Sequence, residues 1–302
     1  MLNKVLGIIL VSTLVACSSS TTPPPPPAPY EALPLDSLSV GTKLYVRGNG
    51  TGWWDQTGGG TDDDAVNQNG PKLQRLDATG TPGVYDAVFR NNNTNVYYGT
   101  ATITMPAEGG VVSATTDLGY PITLTRVNDT LIYTLTGLFT IARGPNAPGA
   151  NRLAHGGFVA GSYTAPGDLP QSGVYVYQGV FIGSSNIVGI VNGDVELTAD
   201  FGAGAGIDLT GDITNVVDSN NDPFRDISIQ ALIDNATGDF TGVANIGIDG
   251  AAGPNAFPGG ADGIVDGGFY GPNGEEIGGT LRVKDGEHFL TGAFGGAQLT
   301  PP

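Results

Sequence analysis

The chain has 302 residues, room for two domains of ordinary size and a core that folds without covalent staples. It carries 29 acidic residues against 12 basic ones, a formal net charge of −17 at pH 7, and such a surface repels phosphate backbones, so nucleic acid is a poor candidate partner. Gly is abundant at 49 residues and charged side chains make up only 14%, a composition suited to tight turns and short strands rather than helices.

The first sixteen residues read as a leader. Lys4 gives a positive start and Val5 to Leu14 an apolar run of about ten residues, too short to span a bilayer and right for a secretory signal. Leu14-Val15-Ala16-Cys17 follows, and Cys17 is the one cysteine in the chain. The small residue before it resembles the lipobox of bacterial lipoproteins. That resemblance implies cleavage before Cys17, acylation of its thiol and new amino group, and a membrane anchor of more than one lipid chain. Once Cys17 carries lipid no thiol remains for a disulfide or redox centre, so strand hydrogen bonds and apolar packing must hold an exported fold. Residues 17–32 form the lipidated linker, in which Pro23 to Pro27 favour an extended spacer at ~3.1 Å per residue.

Residues 33–143 read as a β-rich region. Val96 to Met105, Pro121 to Val127 and Leu131 to Ile141 are expected strands, separated by Asn91-Asn92-Asn93 and Asn128-Asp129, which carry turn chemistry. Gly48 to Gly70 is expected to be one long Gly/Asp/Asn loop around Trp53 and Trp54. Tryptophan is enriched at binding hot spots, so this pair is the candidate ligand contact; the competing reading tucks one or both rings under the sheet. Asp62-Asp63-Asp64 in the same loop is most simply a solvated tip.

Gly144-Pro145-Asn146-Ala147-Pro148-Gly149 is the expected boundary, with a second domain over residues 150–302. There the alternation is cleaner. Val195, Leu197, Ala199 and Phe201 alternate with Glu196, Thr198 and Asp200, and Ile207, Leu209 and Ile213 with Asp208, Thr210 and Asp212. Period-two alternation gives each strand one dry and one wet face. About eight such strands without intervening helices give an all-β fold, a closed up-and-down barrel or a sandwich. Glu, Asp and Thr on the wet faces argue against an outward apolar band, so the barrel is expected to be water-soluble.

Within this region Gly268-Phe269-Tyr270-Gly271-Pro272-Asn273-Gly274-Glu275-Glu276-Ile277-Gly278-Gly279-Thr280 resembles the signature of transferrin-binding protein B-like surface lipoproteins. Gly292-Ala293-Phe294-Gly295-Gly296 and Leu197-Thr198-Ala199-Asp200-Phe201 are similar to further strands of that family. Gly274 stands where the family usually has Ala, and Leu281 where it often has Phe. The resemblance implies an eight-stranded soluble barrel preceded by a smaller β-rich handle domain, which residues 33–143 would supply by position. It also implies a lipoprotein on a Gram-negative outer membrane that binds a protein or haem-related ligand and presents it to a TonB-dependent receptor. The alternative is a structural or adhesive display protein with no nutrient ligand. Phe269 and Phe294 are expected inside the barrel, and Pro272-Asn273-Gly274 is turn chemistry.

Catalytic constellations are sparse. His155 and His288 are the two histidines, too few for a metal cluster or a His-based triad, and no nucleophile-elbow, zincin or Walker motif occurs. An axial haem ligand from His155, His288 or a tyrosine is weighed against ordinary core or surface roles. Gly202-Ala203-Gly204-Ala205-Gly206 leads into a strand, so it offers no helix N-terminus to an anion. Asp218, Asn220 and Asp222 have calcium-loop spacing, yet Pro223 and Ile229 occupy the positions of the turn Gly and closing Glu. Glu275 and Glu276 are neighbours on a strand and point to opposite faces, which favours structural or solvated roles. The expectation is a binding protein, with no enzyme, metal or obligatory cofactor.

Overall fold

The computed structural model describes residues 32–50, 54–55, 71–91, 96–107, 109–127, 130–142, 152–202, 208–247, 260–285 and 288–299. Among them the regular structure is β-strand, with two single-turn 3₁₀ segments at Leu35–Ser37 and Pro166–Asp168, and none of their helices is long and apolar enough to cross a membrane. The N-terminal sheet comprises β1 (Lys43–Gly50), β2 (Trp54–Asp55), β3 (Lys72–Ala78), β4 (Val84–Arg90), β5 (Tyr97–Thr104), β6 (Val111–Thr115), β7 (Pro121–Arg126), β8 (Thr134–Ala142) and β9 (Arg152–Gly161). Its order is β5-β4-β3-β1-β9-β8-β7-β6, with the short β2 added to β9. The barrel comprises β10 (Val174–Ser185), β11 (Gly189–Asp200), β12 (Leu209–Asp218), β13 (Ile227–Asp234), β14 (Asp239–Ile246), β15 (Asp262–Tyr270), β16 (Glu276–Asp285) and β17 (His288–Gln298). Each barrel strand pairs with the next, and β17 returns to pair with β10, so the sheet is closed.

The barrel follows from its alternation. Tyr177, Phe181, Leu197, Ile213, Ile229, Phe240, Phe269 and Phe294 point inward and are buried, whereas Glu196, Asp212, Gln230 and Thr241 face solvent. The Phe240 ring lies 6.3 Å from Phe294 and 6.0 Å from Phe269, filling the interior. Gly267 and Gly279 make room for these rings: a Cβ at Gly267 would strike Phe240, and one at Gly279 would strike Phe294. The turn of the signature motif places Gly271 and Gly274 at φ of 88° and 78°, conformations that side chains disfavour.

The N-terminal sheet curls around a second core that includes Leu44, Leu76, Phe89, Ile122, Leu135, Phe139 and Phe158. Its end strands β5 and β6 meet at one point without forming a ladder. There the Asp117 carboxylate accepts the Thr100 N–H at 2.8 Å, the Asp117 N–H donates to the Thr100 carbonyl at 2.9 Å, and the Thr116 hydroxyl donates to the Tyr98 carbonyl at 3.0 Å. A side chain here substitutes for a ladder bond.

The expected boundary at 144–149 differs from the observed one. β9 (Arg152–Gly161) pairs along its length with β8 and with β1, so the N-terminal sheet runs on to Gly161 and the barrel strands begin at Val174. Residues 143–151 lie outside the described residues; Gly and Pro serve a hairpin turn as readily as a linker, and composition does not separate the two. The single loop expected over Gly48 to Gly70 is also interrupted, because β1 extends to Gly50 and Trp54–Asp55 forms β2. Elsewhere the expected strands correspond to β5, β7 and β8 within a few residues at each end.

The outer faces of β8 and β9 carry the joint with the barrel. Val127 and Leu138 cluster with Ile182 of β10, and a Cβ at Gly157 would run into the Gly292 carbonyl of β17. Polar contacts fix the joint further. The Glu276 carboxylate accepts the backbone N–H groups of Ile132 and Tyr133. Arg47 donates to the Tyr163 hydroxyl at 2.7 Å and pairs with Asp239 of β14. The Thr164 hydroxyl donates to the Gly271 carbonyl at 2.7 Å. Burial raises the Glu276 carboxyl above its ordinary value, against the opposing pull of the Ile132 and Tyr133 N–H donors.

Candidate functional site on the outer face of the N-terminal sheet

The strands β6 to β9 alternate in the usual way. Ile122, Leu124, Phe139, Ile141, Ala154 and Phe158 turn into the core, and their neighbours turn outward. Where that outward face runs beyond the barrel joint it forms a groove of about 510 Å³, within the range of small-ligand sites and beside a junction of two folded parts, where such sites concentrate.

Register builds the groove as two parallel rows. Ser113 stands opposite Thr123, Thr123 opposite Thr140, and Thr140 opposite His155. Alongside, Thr115 stands opposite Pro121, and Ala142 opposite Leu153. The Thr123 hydroxyl donates to the Thr140 hydroxyl at 2.7 Å, which leaves the Thr140 proton to be donated outward. His155 closes the polar row against the barrel, its Nδ1 3.4 Å from the Ser184 hydroxyl of β10. Burial pulls this imidazole down to about 4, so it is uncharged at neutral pH.

The candidate residues fall as follows. Cys17 and Trp53 lie outside the described residues. Trp54 is on β2, its backbone paired with Leu153, so it occupies the register position next to the apolar row of the groove. The groove itself has only a weak signal in the sequence: Thr at alternate positions in Ile122-Thr123-Leu124-Thr125 marks a wet face without marking a hollow one.

Glu275 and Glu276 have separate roles. Glu276 is buried at the joint, and the Glu275 carboxylate accepts from the Asn273 backbone and side chain at 2.8 Å each, bracing the turn. Asp218 has its Oδ1 occupied by the N–H groups of Asn220 and Asp222 at 2.7 and 3.0 Å, which makes 218–222 a self-braced polar loop between β12 and β13. The first residue of Gly202–Gly206 donates its N–H to Asp200 Oδ1 at 2.9 Å; the others, and Asp62 to Asp64, lie outside the described residues. His288 begins β17, on a different strand from His155. Among the described residues there is no group of three His, Cys, Asp or Glu able to hold a metal ion.

A second cleft of about 310 Å³ runs between Arg126 and Val127 of the N-terminal sheet and Val180, Ile182, Asp194 and Asn215 of the barrel. Here β12 bulges against β11, and Asn215 sits at φ of 54° with its amide donating to Asp194 at 2.8 Å.

Residues 169–298 match the family model described as the C-lobe and N-lobe beta barrels of Tf-binding protein B. Over those residues the barrel is similar to the barrels of transferrin-binding protein B. The match begins just before β10, in agreement with a barrel that starts at Val174. No curated protein matches the chain. Among solved structures it is similar to a point variant of transferrin binding protein B from Haemophilus parasuis Hp5, at 17% identity over 85% of this chain and 60% of that one, with a TM-score of 0.46. The isotype 1 transferrin binding protein B of serogroup B Neisseria meningitidis shows 15% identity over 85% and 58%, with a TM-score of 0.46. The N-lobe domain of lactoferrin binding protein B from Moraxella bovis shows 13% identity over 87% and 100%, with a TM-score of 0.39. This chain thus spans about three fifths of the full transferrin binding proteins it resembles.

Proposed function

We propose that the protein is a non-catalytic lipoprotein of the outer membrane, anchored through Cys17 and exposed at the cell surface. It binds a host iron-carrier protein or a haem-related ligand and presents it to a TonB-dependent receptor. The observation that carries this reading is the order of parts in one chain: lipobox, proline spacer, then a barrel similar to those of transferrin-binding protein B. The spacer holds the folded part away from the bilayer, and the anionic surface steers cationic partners toward it. Residues 33–161 act as the handle, and Trp53 and Trp54 supply the ligand contact.

Capture by the purified mature protein of transferrin-like proteins, lactoferrin, haemoglobin and haem tests this. A saturable partner at micromolar protein is the expected outcome. Absence of capture, with the protein labelled by palmitate through Cys17 and digestible on intact cells, would leave a display lipoprotein without a nutrient ligand.

A further inference from the structure

We propose that the groove on β6 to β9 binds a neutral oligosaccharide, with its hydroxyl row hydrogen-bonding the sugar edge and its apolar row covering the sugar face. The inference rests on the groove alone and is independent of the lipid anchor and of any protein ligand.

Three features converge on this ligand class. The first is the pairing of rows: Ser113, Thr123, Thr140 and His155 present hydroxyls and an imidazole, and Pro121, Ala142 and Leu153 present carbon immediately beside them. A pyranose has the same division, with a rim of hydroxyls and apolar ring faces. The second is charge. Among the described residues every side chain that lines the groove is uncharged at neutral pH, although the chain as a whole carries −17. These side chains offer an ionised ligand no counter-charge, which a low-dielectric groove penalises. The third is direction. The rows cross four strands at right angles, so their contact points repeat at the strand spacing of ~4.8 Å, close to the ring-to-ring repeat of a linear oligosaccharide. An added peptide strand would need an open sheet edge to bond its backbone, and this groove lies on a sheet face.

Thr140 is the central group. It accepts from Thr123 and keeps its own proton for the ligand. Leu153 is the central apolar group, and Trp54 occupies the position paired to it.

Titration of the mature protein, purified in detergent, with neutral tetrasaccharides (cello-, malto-, manno- and chito-) and with oligogalacturonate as the anionic comparison tests the inference. Saturable binding of at least one neutral tetrasaccharide below ~1 mM is expected. Thr140→Val and Leu153→Ser should each weaken it by about tenfold, and Ile264→Ser on the exposed flank of the barrel should leave it unchanged. Thr123→Val, which breaks the same hydroxyl row one strand away, serves as the alternative if either variant fails to show a wild-type melting transition. Binding of none of the neutral sugars, preference for the anionic one, or binding that survives the groove changes would overturn the inference. Protein capture that persists in these variants would overturn only a shared site and leave the proposed function standing.

Discussion

The barrel and the N-terminal sheet use the same number of main strands and close in different ways. In the barrel, β10 and β17 pair over nine residues from Tyr177 to Ser185, so closure is a backbone ladder. In the N-terminal sheet, β5 meets the turn that follows β6 through one backbone bond, from the Asp117 N–H to the Thr100 carbonyl, together with the Asp117 carboxylate and the Thr116 hydroxyl. A ladder tolerates most side chains, whereas two of the three bonds described at this seam need a particular side chain. The barrel is therefore held closed by its backbone, whereas the seam of the N-terminal sheet is held in part by side chains that single substitutions can remove.

The barrel depends most on its packed interior. Phe294→Ala removes a fully buried ring that stacks on Phe240 and should cost about 3–5 kcal/mol, read as a lowered midpoint in chemical denaturation. Retention of near wild-type stability would mean the interior is loosely packed.

His155 provides a pH-dependent contrast. Its folded value of about 4 lies below the ordinary 6.5, so the unfolded chain binds the extra proton between those limits. Stability from the neutral imidazole is therefore complete above about pH 6.5 and declines as pH falls toward 4, by about 3.5 kcal/mol at most at ~1.4 kcal/mol per pH unit. The carboxylates titrate in the same range, so the check is the difference between wild type and His155→Gln at pH 7 and pH 4.5. The variant should lose less stability on acidification, and parallel losses would refute the assignment.

Glu276→Gln probes the joint between the regions. One amide oxygen replaces two carboxylate oxygens that face the N–H groups of Ile132 and Tyr133, and about 1–3 kcal/mol should be lost. Because burial raises this carboxyl, its ionisation in the folded state is a growing penalty as pH rises past its ordinary value, and the variant should flatten that trend.

Asp117→Ala should have the smallest effect, about 0.5–1.5 kcal/mol. Its signature is local: the Thr100 amide should exchange with solvent faster, and barrel amides should be unchanged.

The barrel was largely legible because its strands show both faces in the sequence. Val195 to Phe201 declares a dry side and a wet side, and Phe269 and Phe294 are inside as the pattern implies. The N-terminal sheet was less so. β9 carries Gly156, Gly157 and Gly161, of which Gly157 and Gly161 allow close approach to Gly292 and Tyr270 of the barrel, and glycine hides the alternation on which a strand assignment depends. Its position after a Gly/Pro stretch then pointed to the wrong side of the boundary. The joint was invisible for a different reason. Arg47 reaches Tyr163 across 116 positions, and Glu276 reaches Ile132 across 144; no local pattern encodes such pairs. The groove shares that limit, because its rows come from four strands and exist only through their register.

The proposed function rests on Trp53 and Trp54 as the ligand contact. The most direct test is a binding titration of the captured partner against the wild-type mature chain, the Trp53→Ala/Trp54→Ala double variant, and Leu232→Ser on the exposed flank of the barrel. The account predicts that the double variant weakens binding by at least tenfold, about 1.4 kcal/mol, with Leu232→Ser equal to wild type. Unchanged affinity in the double variant, or loss confined to the barrel change, would contradict it.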